Sequence, residues 1–136
     1  MRPITEKTFL VLLAISAGWI ILPDTLSLLL DRPISEIIVE VYDTSEWPSL
    51  LRVATIIFAP VLEEVFFCGF PFEGFRQSRL SFIGAIGLTA LVWSLFHVQY
   101  AVYEIATIFV FGIVLGIVRL KTGSLWSPML MHVFST

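Results

Sequence analysis

Four ionisable side chains lie inside apolar segments of this sequence, where such side chains are rare. They are Glu63, Glu64, His97 and His132. An acidic residue at the centre of a membrane helix costs about 2.5–3.5 kcal/mol on insertion scales, so two adjacent glutamates require a reason. A glutamate and two histidines that converge from separate helices can activate a water molecule. The carboxylate takes the proton, while the imidazoles stabilise the oxyanion that forms or hold a metal ion.

A second interpretation gives these residues no catalytic role. The same side chains could line a polar cavity, pair with Arg52 or Arg76 and fasten the helices together. A single histidine in a membrane helix is more often a hydrogen-bonded packing residue than a ligand or an acid. Glu63 and Glu64 also project about 100° apart on a helix, so at most one of them should point straight into a given cavity.

The composition indicates that these residues lie in a membrane. Of the 136 residues, 57% are hydrophobic and only 14% are charged, with a mean hydropathy of +0.93. Soluble globular chains contain about 45–50% apolar and about 25% charged residues. The net charge of −3 offers no basic surface for a nucleic acid, and the single cysteine, Cys68, excludes an internal disulfide and a cysteine-based zinc site. We therefore predict an integral membrane protein and exclude a nucleic-acid binder, a disordered chain and an ordinary cytosolic enzyme.

The apolar segments predict an all-α, polytopic transmembrane bundle in a single domain, residues 1–136. About 20 apolar residues are needed to span a bilayer. That length occurs once in residues 8–30, where Pro23 should kink or end the helix, once in residues 49–72 and twice in residues 80–120. The bundle should therefore have about four spans.

Further features complete the predicted topology. A turn at residues 99–104 should separate the third and fourth spans, and residues 31–48 should form a short amphipathic helix on the membrane surface. A fifth span begins near Leu125 and has roughly twelve residues, too few to cross, which predicts that the protein continues or that the sequence is a fragment. The spacing of Gly112 and Gly116 should let another helix pack closely.

The distribution of lysine and arginine predicts the orientation. Basic pairs precede the first span, follow the second and follow the fourth: Arg2 and Lys7, Arg76 and Arg79, Arg119 and Lys121. The three pairs fall on one side if every segment crosses, and basic residues accumulate on the cytoplasmic side. The N terminus should therefore be cytoplasmic.

Three strings in the apolar segments match the motifs of a known family. They are PVLEEVFFCGF, LVWSLFH and GIVLGIVRLKTGSLWSPMLMH, within residues 56–136. On these strings the sequence resembles the CPBP family, which comprises CAAX prenyl endopeptidases and bacteriocin-processing intramembrane proteases and is also called the Abi family. Its pattern is a double glutamate with an arginine four residues on, then an aromatic-x-x-x-His, then a His-x-x-x-Asn. Residues 1–55 carry no motif.

The resemblance implies endoproteolysis inside the membrane by a glutamate-activated water. Carried over to this sequence, Glu63 is the general base, Glu64 stands beside it, and His97 and His132 form the oxyanion site. Zinc is the alternative, since Glu63, His97 and His132 would supply the three protein ligands of a catalytic zinc site and leave Glu64 as the base. We favour the metal-free mechanism and expect no cofactor.

Two positions depart from the family pattern. Cys68 replaces the arginine, which could pair with Glu64 one turn earlier, so Glu64 must find another partner or stay protonated. We interpret Cys68 as a packing residue rather than a nucleophile. Thr136 replaces the asparagine, and its hydroxyl still donates a hydrogen bond over a shorter reach. These changes indicate a divergent subgroup of the family rather than a prenyl-protein processor of the usual kind. We expect a bacterial member that lies in the inner membrane.

The depth of the candidate residues restricts the topology. At 1.5 Å per residue, Glu63 and His132 lie ~14 Å from the cytoplasmic ends of their helices, whereas His97 would lie ~25 Å deep. The three depths agree if the third membrane helix begins near Gly87 and residues 75–86 lie along the interface. We predict this arrangement.

Two functions follow from the sequence. The first is an endopeptidase that cleaves a hydrophobic or membrane-tethered protein or peptide substrate, near its C terminus as in protein sorting or maturation. The second is a non-catalytic membrane protein, such as a bacteriocin-immunity factor or a scaffold, that retains the motifs as a buried polar network. The lipid bilayer surrounds the protein in both cases, and the sequence does not predict the oligomeric state.

Overall fold

The protein is all-α, as predicted, throughout the part that the computed structural model describes, residues 5–29, 31, 36–69, 74 and 81–136. The helices are, in chain order, α1 (Glu6–Leu29), α2 (Glu36–Asp43), α3 (Pro48–Val53), α4 (Ala59–Glu63), α5 (Phe82–Leu95), α6 (Val102–Thr122) and α7 (Trp126–Ser135). Two π-helical segments adjoin α4: π1 (Ala54–Phe58) precedes it and π2 (Glu64–Gly69) follows it. Short π-helical segments often occur at functional sites, and π2 begins at a candidate catalytic residue.

Capping groups fix the ends of the two helices that carry much of the core. Ser81 precedes α5, and its Oγ accepts a hydrogen bond from the backbone N–H of Gly84 at 3.3 Å. The Glu104 carboxylate accepts from the backbone N–H of Ala101 at 2.7 Å, which fixes the start of α6. Gly123 ends α6 with φ at 64°, a conformation that glycine adopts without a steric penalty. The predicted turn before α6 exists, but it lies at residues 96–101 rather than 99–104, so that Tyr103 and Glu104 belong to α6.

Two elements differ from their predicted bounds. Helix α1 continues through Pro23 to Leu29, so the helix does not end at the proline, and the alternative of a kink there stays a prediction. A proline removes one backbone donor, and the apolar sequence on both sides keeps the rest of the helix intact. Helix α5 begins at Phe82 rather than near Gly87, because the Ser81 cap starts it earlier and a single interior glycine costs only about 1 kcal/mol. Residues 75–80 of the predicted interfacial stretch lie outside the described residues.

The number of membrane spans stays a prediction. Among the helices of the described residues, α6 is the one long and apolar enough to cross a bilayer. Helix α5 has 14 residues, which extend about 21 Å and fall short of a ~30 Å hydrocarbon core. Helix α2 confirms a short helix within residues 31–48, while its place on the membrane surface is not tested.

The core joins the motif-bearing helices to α1. Helix α6 packs along α5, and α7 packs against α1, α6 and α4. Seven buried side chains from α1, π2, α5, α6 and α7 form the core cluster: Leu12, Phe67, Trp93, Phe111, Leu115, Val118 and Met131. The three segments that carry the motifs are therefore held together by one set of apolar contacts.

Two glycines allow α6 to approach α5 closely, as their spacing predicts. A Cβ atom at Gly112 would lie 2.9 Å from Cε3 of Trp93 and 3.0 Å from Cβ of Ala90. A Cβ atom at Gly116 would lie 3.0 Å from Cγ2 of Ile86. Gly112 is thus the position at which the packing of the two helices determines where the Trp93 indole lies.

We expect Gly112→Ala to destabilise the protein by about 1–3 kcal/mol, because the added methyl group overpacks the contact and displaces Trp93. Gly87→Ala is the matched control, since it makes the same change inside α5 and its Cβ would meet nothing within 4 Å. The control should be neutral or stabilise by up to about 1 kcal/mol, the helix preference of alanine over glycine. Thermal unfolding in detergent micelles measures both, and equal stability of the two variants would contradict the close approach.

Candidate active site

Three of the four candidate residues meet in one place. The His132 ring of α7 reaches both glutamates: its Nδ1 is hydrogen-bonded to Oε1 of Glu64 at 3.1 Å, and its Nε2 lies 4.0 Å from Oε2 of Glu63. Both glutamates line the same cleft, contrary to the expectation that at most one would point into a cavity. The backbone at Glu64 is regular α-helical, with φ −65° and ψ −41°, so the two side chains leave the helix in different directions. Both are long enough to reach the cleft, Glu64 from the buried side and Glu63 from the more exposed side.

The two glutamates differ in exposure and in partners. Glu64 is only 3% exposed, and its Oε2 has no hydrogen-bond partner in the part of the chain that the structure describes. The Glu63 side chain is 29% exposed, and its Oε2 accepts a hydrogen bond from Nε1 of the buried Trp93 at 2.8 Å. Glu63 can therefore reach water and a substrate, whereas Glu64 can act only through its buried neighbours.

Aromatic rings and Glu64 fix the orientation of His132. The rings of Trp93 and Phe111 stand nearly perpendicular to the imidazole, with centroids 5.3 and 5.4 Å away. The hydrogen bond to Glu64 occupies Nδ1, so Nε2 is the nitrogen directed toward Glu63. The site therefore presents one carboxylate oxygen and one imidazole nitrogen to the same small volume.

Helix α1 supports His132 although it carries no motif. Trp19 stacks on Phe111 with ring centroids 4.9 Å apart, and Phe111 in turn contacts the His132 ring. The buried Ser16 hydroxyl donates to the backbone carbonyl of Met131, the residue before His132, at 3.2 Å. Two side chains of α1 thus fix the part of α7 that carries the histidine.

His97 lies in the turn after α5 and, among the described residues, makes no hydrogen bond or ion pair with either glutamate. Its Nδ1 donates to the backbone carbonyl of Trp93 at 3.0 Å, and its ring meets the Trp93 indole edge to face at 5.3 Å. The Trp93 indole therefore lies against both His97 and His132. Since the Nδ1 proton is used by the carbonyl, Nε2 of a neutral His97 can only accept a hydrogen bond.

Tyr100 is a site neighbour that the sequence indicated only as a turn residue. Its ring stacks on His97 with centroids 5.9 Å apart. Burial, followed by the carboxylates of Glu104 and Glu63, raises the pKa of the Tyr100 hydroxyl above its ordinary value. The phenol therefore stays protonated at neutral pH and stands close enough to Glu63 to feel its charge.

The two departures from the family pattern have clear structural outcomes. Cys68 is buried in the core, as its interpretation as a packing residue requires, and its thiol interacts with the Glu64 carboxylate through a hydrogen bond. His132, rather than the missing arginine, is the hydrogen-bond partner of Glu64. The Thr136 hydroxyl donates to the His132 carbonyl of its own helix at 3.0 Å and does not reach the carboxylates.

The predicted zinc ligands are not arranged as a metal site. Within the described residues, no group of three His, Cys, Asp or Glu side chains could hold a metal ion. The alternative set was Glu63, His97 and His132, and the Trp93 indole packs against both of its imidazoles. The metal-free mechanism stays a prediction.

A narrow cleft gives access to the carboxylates. It has a volume of about 310 Å³ and lies between π2, α5 and α6, where both glutamates, Cys68, Thr89 and Trp93 line it. Its enclosed part thus has room for about one water molecule beside the two carboxylates.

Comparisons with known proteins cover the segment that contains the site. The family described as type II CAAX prenyl endopeptidase Rce1-like matches residues 45–136. An uncharacterized 24.3 kDa protein of Escherichia coli is 32% identical over 91 residues, which are 64% of this chain and 42% of that protein. The chain therefore spans less than half of the length of this relative. No solved structure matches the chain.

Proposed function

Because the chain belongs to the Rce1-like family of type II CAAX prenyl endopeptidases, we propose that it is an intramembrane endopeptidase that uses a water activated by Glu63. The family is a membrane-embedded peptidase family, and the resemblance found in the three motif strings is confirmed by the match. The proposed substrate is a hydrophobic or membrane-tethered protein or peptide, cut near its C terminus. The single observation that carries the proposal is the approach of Glu63 Oε2 and His132 Nε2 to 4.0 Å beside an open cleft.

Glu63 is the general base of the proposed reaction. A water between its Oε2 and the substrate carbonyl gives a proton to the carboxylate and attacks the carbonyl carbon. The indole N–H of Trp93 holds the same Oε2 at 2.8 Å and fixes its direction. When the tetrahedral intermediate collapses, Glu63 returns the proton to the leaving amine, so that the carboxylate is regenerated and one water is consumed.

His132 stabilises the oxyanion in this proposal. Glu64 holds Nδ1, which leaves Nε2 directed at the volume where Glu63 activates water. Because Glu64 holds the Nδ1 proton, Nε2 of His132 can donate to the oxyanion only when the ring is an imidazolium, and the adjacent carboxylate stabilises that positive charge. His97 completes the oxyanion site only as an imidazolium, because its Nδ1 proton is held by the Trp93 carbonyl.

The non-catalytic alternative requires that all four side chains are paired with one another or with arginines. Glu63 is 29% exposed on a cleft, which a side chain that only fastens helices together does not require. Across the same residues, the ion pairs of the two glutamates are with His132 alone. Arg52 thus makes no ion pair with either glutamate, and Arg76 lies outside the described residues. These observations favour the peptidase.

The test is cleavage by the purified chain in proteoliposomes. The probe is a fluorogenic peptide that ends in a CAAX sequence and carries an S-farnesyl group, and the control is the same peptide without the lipid. We expect cleavage of the lipid-bearing peptide and at least tenfold less of the control, because the bilayer brings the tethered peptide to the site. Cleavage should survive dialysis against a zinc chelator, and recovery only on added Zn²⁺ would contradict the metal-free mechanism. Cleavage of neither peptide by folded protein would favour the non-catalytic alternative.

A further inference from the structure

Two buried polar atoms, one on an acidic and one on a basic side chain, lack hydrogen-bond partners. They are Oε2 of Glu64 in π2 and Nε of Arg119 in α6, and neither has a partner among the described residues. Buried charged groups are costly unless another group compensates them, and native proteins leave few such atoms unsatisfied. An unsatisfied acceptor and an unsatisfied donor of opposite charge therefore require an explanation.

The helix geometry brings Arg119 to the side of the cleft that Glu64 lines. Leu115 and Gly116 of α6 line the cleft together with Glu64 and Cys68. Arg119 follows these two residues by four and three positions, so it lies on the same face of α6 one turn farther along. The Cys68 thiol interacts with Glu64, and the Arg119 guanidinium is near enough to act on that thiol electrostatically.

We infer that Arg119 is the counter-charge of Glu64 and a positioning residue of the site. The two side chains make no ion pair within 4.0 Å in the described part of the chain, so we place one water molecule between them. That water accepts from the Arg119 Nε–H and donates to Oε2 of Glu64, which satisfies both atoms. The other oxygen of Glu64 keeps its hydrogen bond to His132.

The charge of Arg119 explains how the chain tolerates a cysteine in place of the arginine at position 68. The family pattern places an arginine at this position, one turn after Glu64 on the same helix. Here the positive charge comes from α6 instead, across the helix interface. The expected effect of Arg119 on catalysis rests on the proposed function, whereas the electrostatic coupling of Arg119 to Glu64 does not.

A double-mutant cycle on thermal stability tests the coupling without any substrate. Arg119→Leu should lower Tm by about 5 °C, because it leaves the Glu64 carboxylate uncompensated. In a Glu64→Gln background the same change should lower Tm by less than half as much. Lys121→Leu is the matched control, because it removes an exposed cation from the same helix end, and it should lower Tm by less than about 2 °C. If Arg119→Leu does not fold, Arg119→Gln replaces it in the cycle.

Moving the charge provides the second test. Cys68→Arg in the Arg119→Leu background should restore at least half of the lost Tm, whereas Cys68→Arg alone should not raise it. For the farnesylated CAAX peptide, Arg119→Leu should lower kcat about tenfold with little change in KM, and Cys68→Arg should recover most of that loss. Additive effects in the cycle together with no rescue would overturn the inference, even with an active wild type. A coupled cycle with an inactive wild type would leave the inference standing and contradict the proposed function.

Discussion

Glu63→Gln is expected to lower kcat for the farnesylated CAAX peptide by about 10²–10⁴-fold, the range that a general base contributes. Glutamine has nearly the same shape as glutamate, and its amide oxygen can still accept the hydrogen bond from Trp93 Nε1. It has no carboxylate to take a proton from water. We therefore expect Tm to change by only a few degrees while kcat falls by that factor. Proteoliposome kinetics and thermal unfolding of the same preparation measure the two effects.

Glu46→Gln is the matched control for this substitution. It makes the same chemical change at an exposed position outside the cleft, and it should leave both kcat and Tm unchanged. Cleavage by Glu63→Gln at the rate of the wild type would rule out Glu63 as the base. A fall in Tm as large as that of a core substitution would instead identify Glu63 as part of a helix-fastening network, which is the non-catalytic interpretation.

The sequence predicted the candidate site residues better than it predicted the contacts between them. Charged and imidazole side chains in apolar segments are conspicuous, and Glu63, Glu64 and His132 stand together in the structure. The hydrogen bond from Trp93 to Glu63 was not predicted, although the tryptophan belongs to a motif string. Helix α5 is apolar on all sides, so its hydropathy pattern does not tell which face turns toward α4. That rotation is decided by packing, including the close approach at Gly112.

The contribution of α1 could not be read from the sequence. Ser16 and Trp19 are ordinary residues of an apolar helix, and they lie outside the residues 45–136 that match the family. They matter because α7 packs against α1, where Ser16 holds the Met131 carbonyl and Trp19 stacks on Phe111. A long-range contact of this kind leaves no local pattern in a single sequence.

Local capping chemistry explains the main error in the predicted topology. The depths of the candidate residues, together with the glycines before them, predicted that the third membrane helix begins near Gly87. Ser81 is the stronger signal, since its side chain accepts the Gly84 N–H and begins the helix at Phe82. His97 then lies in the turn beyond the helix, and the indole of Trp93, one turn earlier, is the group that meets both Glu63 and His132. The Trp93 ring therefore lies between His97 and the groups that His97 was predicted to contact directly.

His132→Asn is expected to lower kcat by about 10²–10³-fold, the loss that follows removal of one oxyanion donor. The asparagine amide can reach the position of Nδ1 and keep the hydrogen bond to Glu64, but it provides nothing at the position of Nε2. The variant therefore separates the chemistry of the ring from its role in holding Glu64. Its KM should change little, since the binding surface for a tethered peptide is unaltered.

Two comparisons make the His132 prediction specific. His132→Leu also removes the hydrogen bond to the buried Glu64, so its free energy of unfolding should fall by about 1–3 kcal/mol more than that of His132→Asn. His97→Asn should lower kcat only about tenfold, because His97 makes no hydrogen bond to either glutamate in the described part of the chain and meets the site through Trp93. An equal loss of kcat at both histidines would mean that a substrate draws His97 into direct contact with the oxyanion. A larger loss at His97 than at His132 would reverse the roles given to the two rings, because the group that faces Glu63 would then not be the one that stabilises the transition state.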